Sequence, residues 1–211
     1  MRIAVLQASS QKEKNRLLFE ATEKAVKGKG WPVTNLGVFE EEEAEYSYVQ
    51  AALWVSLLLE SGAADFVVTG CSSGQGMMLA CNSLPGVVCG YVPTPADAYL
   101  FGRINDGNAI SFPLGLNFGW CGRLNLEYTL EKLFEEPFGT GYPPQDADRK
   151  RRDTELLKTM GVVSKRPLEE VLPQLDDHLV KSALSREPVM DFIMRYGKNA
   201  KLKKFLQQYS L

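Results

Sequence analysis

The sequence predicts an α/β protein: a three-layer α/β/α domain on a five-stranded parallel sheet, followed by an α-helical C-terminal extension. Three observations lead there. Short apolar runs alternate with helix-period stretches across residues 1–140. A glycine-rich turn follows the third apolar run and opens a helix. The turn-rich stretch Gly139-Thr140-Gly141-Tyr142-Pro143-Pro144 then coincides with a reversal of charge. Residues 147–211 hold 14 Lys/Arg against 9 Asp/Glu, whereas the first 146 hold 10 against 17. The core is therefore assigned to residues 1–140 and the extension to residues 141–211.

The elements follow in order. Residues 3–6 form a short buried strand. Residues 11–27 show helical spacing through Leu17, Leu18, Ala21 and Ala25, and stop at Gly28-Lys29-Gly30. A second strand spans 32–36 and ends at Gly37. The run Glu40, Glu41, Glu42, Glu43 is a solvated loop or the start of the next helix, where carboxylates suit the dipole. A mostly apolar helix covers 46–60 and a third strand 65–69. After the glycine turn come a helix over 77–82, strands over 87–91 and 109–112 with a helix starting near Pro95 between them, and a helix over 117–135. Strands alternating with helices of this length give a Rossmann-like parallel sheet covered on both faces. The extension adds helices near 148–160, 168–172, 176–183 and 189–208. The last sets Phe192, Ile193, Tyr196, Leu202 and Phe205 as an apolar stripe apart from Lys198, Lys201, Lys203 and Lys204. That is a packing helix with a solvated basic face, and its stripe is expected to cover a dimer partner or the active site.

Composition excludes several classes. In 211 residues, 45% are hydrophobic and 24% charged, as in ordinary globular domains. A net charge of −2 argues against a generally basic nucleic-acid surface. No apolar run approaches the ~20 residues of a membrane span, and the start of the chain reads as a strand and not a signal peptide. Cys71, Cys81, Cys89 and Cys121 lack a C-x-x-C pairing and read as thiols of a reducing cytoplasm, most of them small buried hydrophobes. His178 is the single histidine, which excludes metal sites and proton relays built from several imidazoles.

The stretch Thr69-Gly70-Cys71-Ser72-Ser73-Gly74-Gln75-Gly76 carries the chemistry. A glycine turn between a buried strand and a helix points backbone N–H groups at an anion or a developing oxyanion. It is not a Walker loop, since no Lys follows, nor a dinucleotide fingerprint, since no third Gly is in register. Cys71 stands at the carboxyl end of the strand, where open parallel sheets bind ligands. A cysteine there can act as nucleophile or base. A Cys–His hydrolase would need His178 from the tail. The plain alternative is an inert thiol in a tight turn.

The order of Gly70-Cys71-Ser72-Ser73-Gly74-Gln75-Gly76, Ala80-Cys81-Asn82-Ser83-Leu84-Pro85-Gly86 and Asn105-Asp106-Gly107-Asn108 resembles the ribose-5-phosphate isomerase B and galactose-6-phosphate isomerase family, over roughly residues 1–135. Tyr46 stands where that family has an Asp-Tyr-Pro motif. The resemblance implies a metal-independent aldose–ketose isomerase, without organic cofactor, acting on a sugar phosphate through an enediolate. By the same resemblance, Cys71 is the base between C1 and C2. The turn from Ser72 through Gly74, Gln75 and Gly76 holds the enediolate oxygen. Ser73 matches a hydroxyl tied to ring opening, and Asn105 matches a substrate-binding residue. Family members form homodimers, or dimers of dimers, with shared sites.

The chain also departs from that pattern. Ala8-Ser9-Ser10 replaces an Asp-His pair, Ile104 replaces the ring-opening His, and Gly115-Leu116-Asn117 lacks an Arg. Ser9, Ser10 and Gln7 are candidate contacts to sugar hydroxyls. Arg149, Arg151 and Arg152 are candidate phosphate ligands or a solvated helix face, and His178 is a candidate substitute imidazole or an ordinary tail residue. The expectation is an isomerase with altered substrate preference. The alternative is a non-catalytic sugar-phosphate-binding or scaffold protein on the same fold.

Overall fold

A computed structural model describes residues 1–209. The strands are β1 (Ile3–Val5), β2 (Val33–Asn35), β3 (Phe66–Cys71), β4 (Cys89–Tyr91) and β5 (Ala109–Pro113). They form one parallel sheet in the order β2-β1-β3-β5-β4. Register pairs Val5 with Val68 and Cys71 with Pro113. The α/β/α arrangement with a helical C-terminal region is as the sequence predicts.

Side chains alternate across each strand and sort the core into two halves. Ile3, Val5, Phe66, Val68, Ile110 and Phe112 face α1 (Asn15–Ala25) and α5 (Gly122–Phe134). Ala4, Leu6, Val67 and Cys71 face α2 (Tyr48–Glu60) and α3 (Gln75–Asn82). Ser47 and Gln50 close a capping box at the start of α2. Thr94 caps α4 (Pro95–Leu100), with proline at its first turn.

The extension comprises α6 (Ala147–Ser164), α7 (Leu168–Val171), α8 (Asp177–Leu184), α9 (Glu187–Tyr196) and α10 (Ala200–Tyr209). Its apolar residues Leu168, Leu172, Val180, Val189, Ile193, Leu202 and Leu206 join the same core as Ala51, Trp54 and Leu58 of α2. The Trp54 indole N–H donates to the Ala183 carbonyl at 2.9 Å. Covered by the sheet on one side and the tail on the other, α2 is buried almost all round, which explains its continuous apolar sequence. The closing stripe therefore covers this chain's own α2 and not a partner.

Some boundaries depart from expectation. The single closing helix is two, because Gly197 ends α9 and Asn199 starts α10, its Oδ1 accepting from the Leu202 N–H at 3.1 Å. The helix expected from 117 begins at Gly122, since Asn117 and Gly119 adopt left-handed backbone, with φ of +57° and +46°. Among the described residues, no helix is long and apolar enough to cross a membrane.

Candidate active site

The sheet order places β2 and β3 on opposite sides of β1, so the connections leaving β1 and β3 diverge at their carboxyl ends. In open parallel sheets such a divergence leaves a crevice, the usual ligand site. Ala8, Ser9 and Ser10 leave β1 on one wall, and Cys71 ends β3 on the other. The two are tied by the Ala8 N–H donating to the Gly70 carbonyl at 3.3 Å.

Cys71 is buried and unpaired in any disulfide. Its carbonyl accepts from the Leu114 N–H at 3.0 Å, which fixes the last residue of β3 against the exit of β5. The Ser72 carbonyl accepts from the N–H groups of Gly115 and Leu116, at 2.9 and 2.7 Å. Gly74 then turns the chain with φ of +75°, and its carbonyl accepts from the buried Ser111 hydroxyl at 2.6 Å. A side chain at Gly74 would lie 2.8 Å from the Tyr91 ring and 2.9 Å from the Pro113 nitrogen. Only glycine meets both demands. Ser73 Oγ accepts from the Gln75 N–H at 3.3 Å, at the amino terminus of α3.

Three polar side chains line the mouth. Ser72 Oγ donates to Ser10 Oγ at 3.3 Å and accepts from Gln11 Nε2 at 3.1 Å. Gln11 is in turn held by Lys14 Nζ at 3.0 Å. Helical spacing predicts Gln11 as the first residue of a helix and gives it no part in the site, whereas residues Ser9–Lys14 form a 3₁₀ segment and Gln11 meets Ser72. Nothing local in the sequence marks it, since its contact to Ser72 spans 61 residues. Gln7, a candidate sugar contact, is not available: it is fully buried, donating to the Val38 carbonyl at 2.6 Å and accepting from Asn15 at 2.7 Å.

The third wall is the irregular segment 36–47 between β2 and α2. Its end is clasped to Ser9, whose N–H donates to the Tyr46 carbonyl at 3.0 Å and whose hydroxyl accepts from the Tyr46 N–H at 2.6 Å. The Tyr46 ring packs edge-on against Trp54, at 4.9 Å between centroids. Beneath the segment Arg186 is buried and forms a bidentate pair with Glu42. Burial alone would raise the Glu42 carboxyl, but Arg186 and the Phe39 N–H outweigh it and hold it below the ordinary value. Burial pulls Arg186 down, and its bond to Glu42 outweighs that to raise it. Cys81 and Cys89 meet in the core, where their mutual hydrogen bond and burial push the Cys89 thiol well up; Cys121 is exposed.

The structure thus brings Cys71, Ser72, Ser73, Gly74, Gln75 and Gly76 together with Ser9, Ser10 and Tyr46. Gln75 is exposed at the edge. Asn105 is elsewhere: it precedes β5, whose Ala109 pairs with Val67, so it lies at the opposite end of the sheet from Cys71. Arg149, Arg151 and Arg152 lie on α6, which packs near Asn105 through Thr154 on the Ile104 carbonyl and Lys158 on Asp106. Arg149 pairs with Asp153 at 3.3 Å, Arg151 pairs with Asp148, and Arg152 is exposed. His178 is exposed on α8. Among the described residues, no cluster of His, Cys, Asp and Glu is arranged to hold a metal ion.

Comparison with known proteins bears on this crevice. The crystal structure of 4-deoxy-L-threo-5-hexosulose-uronate ketol-isomerase complexed with a tartrate is 40% identical, covers 99% of both chains and superposes with a TM-score of 0.94. Ribose-5-phosphate isomerase from Vibrio parahaemolyticus is 35% identical, with the same coverage and TM-score. The shorter ribose 5-phosphate isomerase from Thermotoga maritima is 25% identical over 72% of this chain and 96% of its own, with a TM-score of 0.55. No curated protein matches the chain. The profile of the Ribose/Galactose Isomerase family matches residues 3–136, a span that holds every strand and the whole Cys71 turn. The chain belongs to the ribose/galactose isomerase family.

Proposed function

We propose that this sugar isomerase interconverts an aldose and a ketose by proton transfer at Cys71, and that its substrate is an open-chain sugar acid. The observation that carries the first part is the seat of Cys71, at the carboxyl end of β3 over the Gly74 turn and across the crevice from Ser9 and Ser10. The Cys71 sulfur takes the proton from C2, and the C–H electron pair forms the C1–C2 double bond of an enediolate while O1 gains charge. The amides of the turn at the start of α3 stabilise that oxygen. Return of the proton to C1, with the hydroxyl proton passing from O2 to O1, gives the ketose. Nothing is gained or lost, and the step needs no metal or organic cofactor.

The second part rests on what replaces the ring-opening histidine. Ile104 stands in its place, and His178 is exposed on α8. A 4-deoxy-5-hexosulose uronate, the compound in the name of the 40% identical relative, has no hydroxyl on C4 and a carbonyl at C5. Neither of the usual five- or six-membered rings can close on its aldehyde. An enzyme for such a substrate requires no ring-opening group, and a carboxylate takes the place of the phosphate.

The active assembly in this reading is a homodimer. Asn105 and the α6 arginines sit at the wrong end of the sheet to reach Cys71 in their own chain. A second copy supplies them. The face that α6 offers is apolar and uncovered, with Leu156, Met160 and Val163 at helical spacing and 62%, 65% and 78% exposed.

The test is a substrate panel containing ribose 5-phosphate, galactose 6-phosphate and a 4-deoxy-5-hexosulose uronate, with product followed by chromatography. Turnover is expected for the uronate, with kcat/KM at least about 10²-fold above either phosphate. Cys71→Ala should lower kcat by about 10²–10⁴-fold. Absence of turnover throughout, with retained tartrate binding, would leave the non-catalytic alternative.

A further inference from the structure

We infer that Arg186, supplied by the C-terminal extension, is a positioning residue for the active site: it locks the 36–47 segment against the end of β1. The inference rests on the site assignment above but concerns a different part of the chain. Segment 36–47 has no helix or strand of its own, so its shape depends on side-chain anchors. It also carries Glu40, Glu41, Glu42, Glu43 and Glu45, which repel one another and any acidic substrate.

Arg186 engages this segment along its length. Its Nη2 donates to the Leu36 carbonyl at 2.8 Å and to Glu42 Oε1 at 2.8 Å, while Nη1 donates to Glu42 Oε2. The guanidinium lies 5.1 Å from the centroid of the Tyr46 ring and 4.9 Å from that of Trp54. Glu42 Oε1 also accepts from the Phe39 N–H at 2.7 Å, which folds the acidic run back on itself. Gly37, with φ of +83°, passes so close to Arg186 Nη2 that a side chain there would collide with it.

The segment transmits this anchoring to the crevice at both ends. Its start is pinned through the Gln7 N–H on the Gly37 carbonyl at 3.1 Å, its end through the double clasp between Tyr46 and Ser9. Arg186 comes from the α8–α9 junction, 150 residues beyond Leu36. A planar fork able to serve two acceptors and stack on two rings is what arginine offers and lysine does not. The Cys71 turn has separate anchors, in Ser111, Leu114 and Gly115.

The experiment compares full-length wild type with Arg186→Lys by amide hydrogen exchange and by steady-state kinetics on whichever panel sugar the wild type turns over best. Exchange at Ser9 and Tyr46 should rise about tenfold or more, with Leu114 and Gly115 unchanged. KM should rise about fivefold or more while kcat moves less than about threefold, because one wall of the crevice loosens and the proton-transfer turn does not. Uniformly faster exchange, or unchanged exchange, overturns the inference whatever the protein catalyses. Local loosening with an unaltered KM overturns it too, and leaves Arg186 a purely structural residue. Glu42→Gln, which keeps the shape and removes the charge pair, should move the same readouts in the same direction and serves if the lysine variant does not fold. A wild type without turnover defeats the proposed function alone. Tartrate titration by calorimetry then replaces KM, with weaker binding by Arg186→Lys expected and equal binding overturning the inference.

Discussion

Gly74 shows how closely single residues control the Cys71 turn. Its φ of +75° costs a glycine little, while any side chain there would meet Tyr91, Pro113 and Phe112 as well as the backbone penalty. Gly74→Ala is expected to destabilise the protein by about 1–3 kcal/mol. It should also lower turnover beyond the loss of folded protein, because Ser73 and Gln75 shift with it. Thermal unfolding and activity per folded molecule check this; an alanine variant with wild-type midpoint and kcat would contradict it. Residue-level legibility was uneven for a related reason. The Cys71 turn is local in sequence, so its residues could be named together. Gln11, Arg186 and the burial of Gln7 depend on contacts across 61, 150 and 31 residues, and no local pattern announces them.

At the scale of elements, α2 decides how the extension is to be understood. An amphipathic helix needs one covered face, and α2 has two, one against the sheet and one against α8 and α9. The helical pattern of the tail was legible because its stripes repeat at helical spacing. The surface it covers was not, because a stripe specifies apolar contact and no address. The division of closing residues into α9 and α10 was lost for a smaller reason: Gly197-Lys198-Asn199 interrupts the pattern without shifting its phase enough to show. A chain truncated after residue 146 would uncover Trp54, Leu57 and Leu58, each worth about 1.5–3 kcal/mol of burial. It is expected to be insoluble or to bind a hydrophobic dye strongly. A soluble truncated chain with cooperative unfolding would contradict the shared core.

Across the whole molecule, the parallel sheet puts the two halves of the candidate chemistry at opposite ends. Cys71 and its turn stand at the carboxyl end, with Asn105 and the basic start of α6 at the other, separated by the length of β3, about 13 Å or more. The parallel sheet and the place of Cys71 at a strand's carboxyl end could be anticipated from alternating strands and helices, since such sheets take their ligands there; the strand order, with β5 between β3 and β4, could not, because the alternation is the same for several orders. The distribution of polar groups about that crevice could not, because it is set by three-dimensional neighbours. In the proposed reaction Cys71 moves a proton between adjacent carbons of an open-chain sugar acid. Proton magnetic resonance of a 4-deoxy-5-hexosulose uronate incubated with the enzyme in deuterated water tests it most directly. Because the proton held on the Cys71 sulfur exchanges with solvent before its return, deuterium is expected at C1 of the product and at C2 of recovered substrate, reduced by about 10²-fold or more in Cys71→Ser. Isomerisation without any incorporation, or incorporation undiminished in Cys71→Ser, would contradict it.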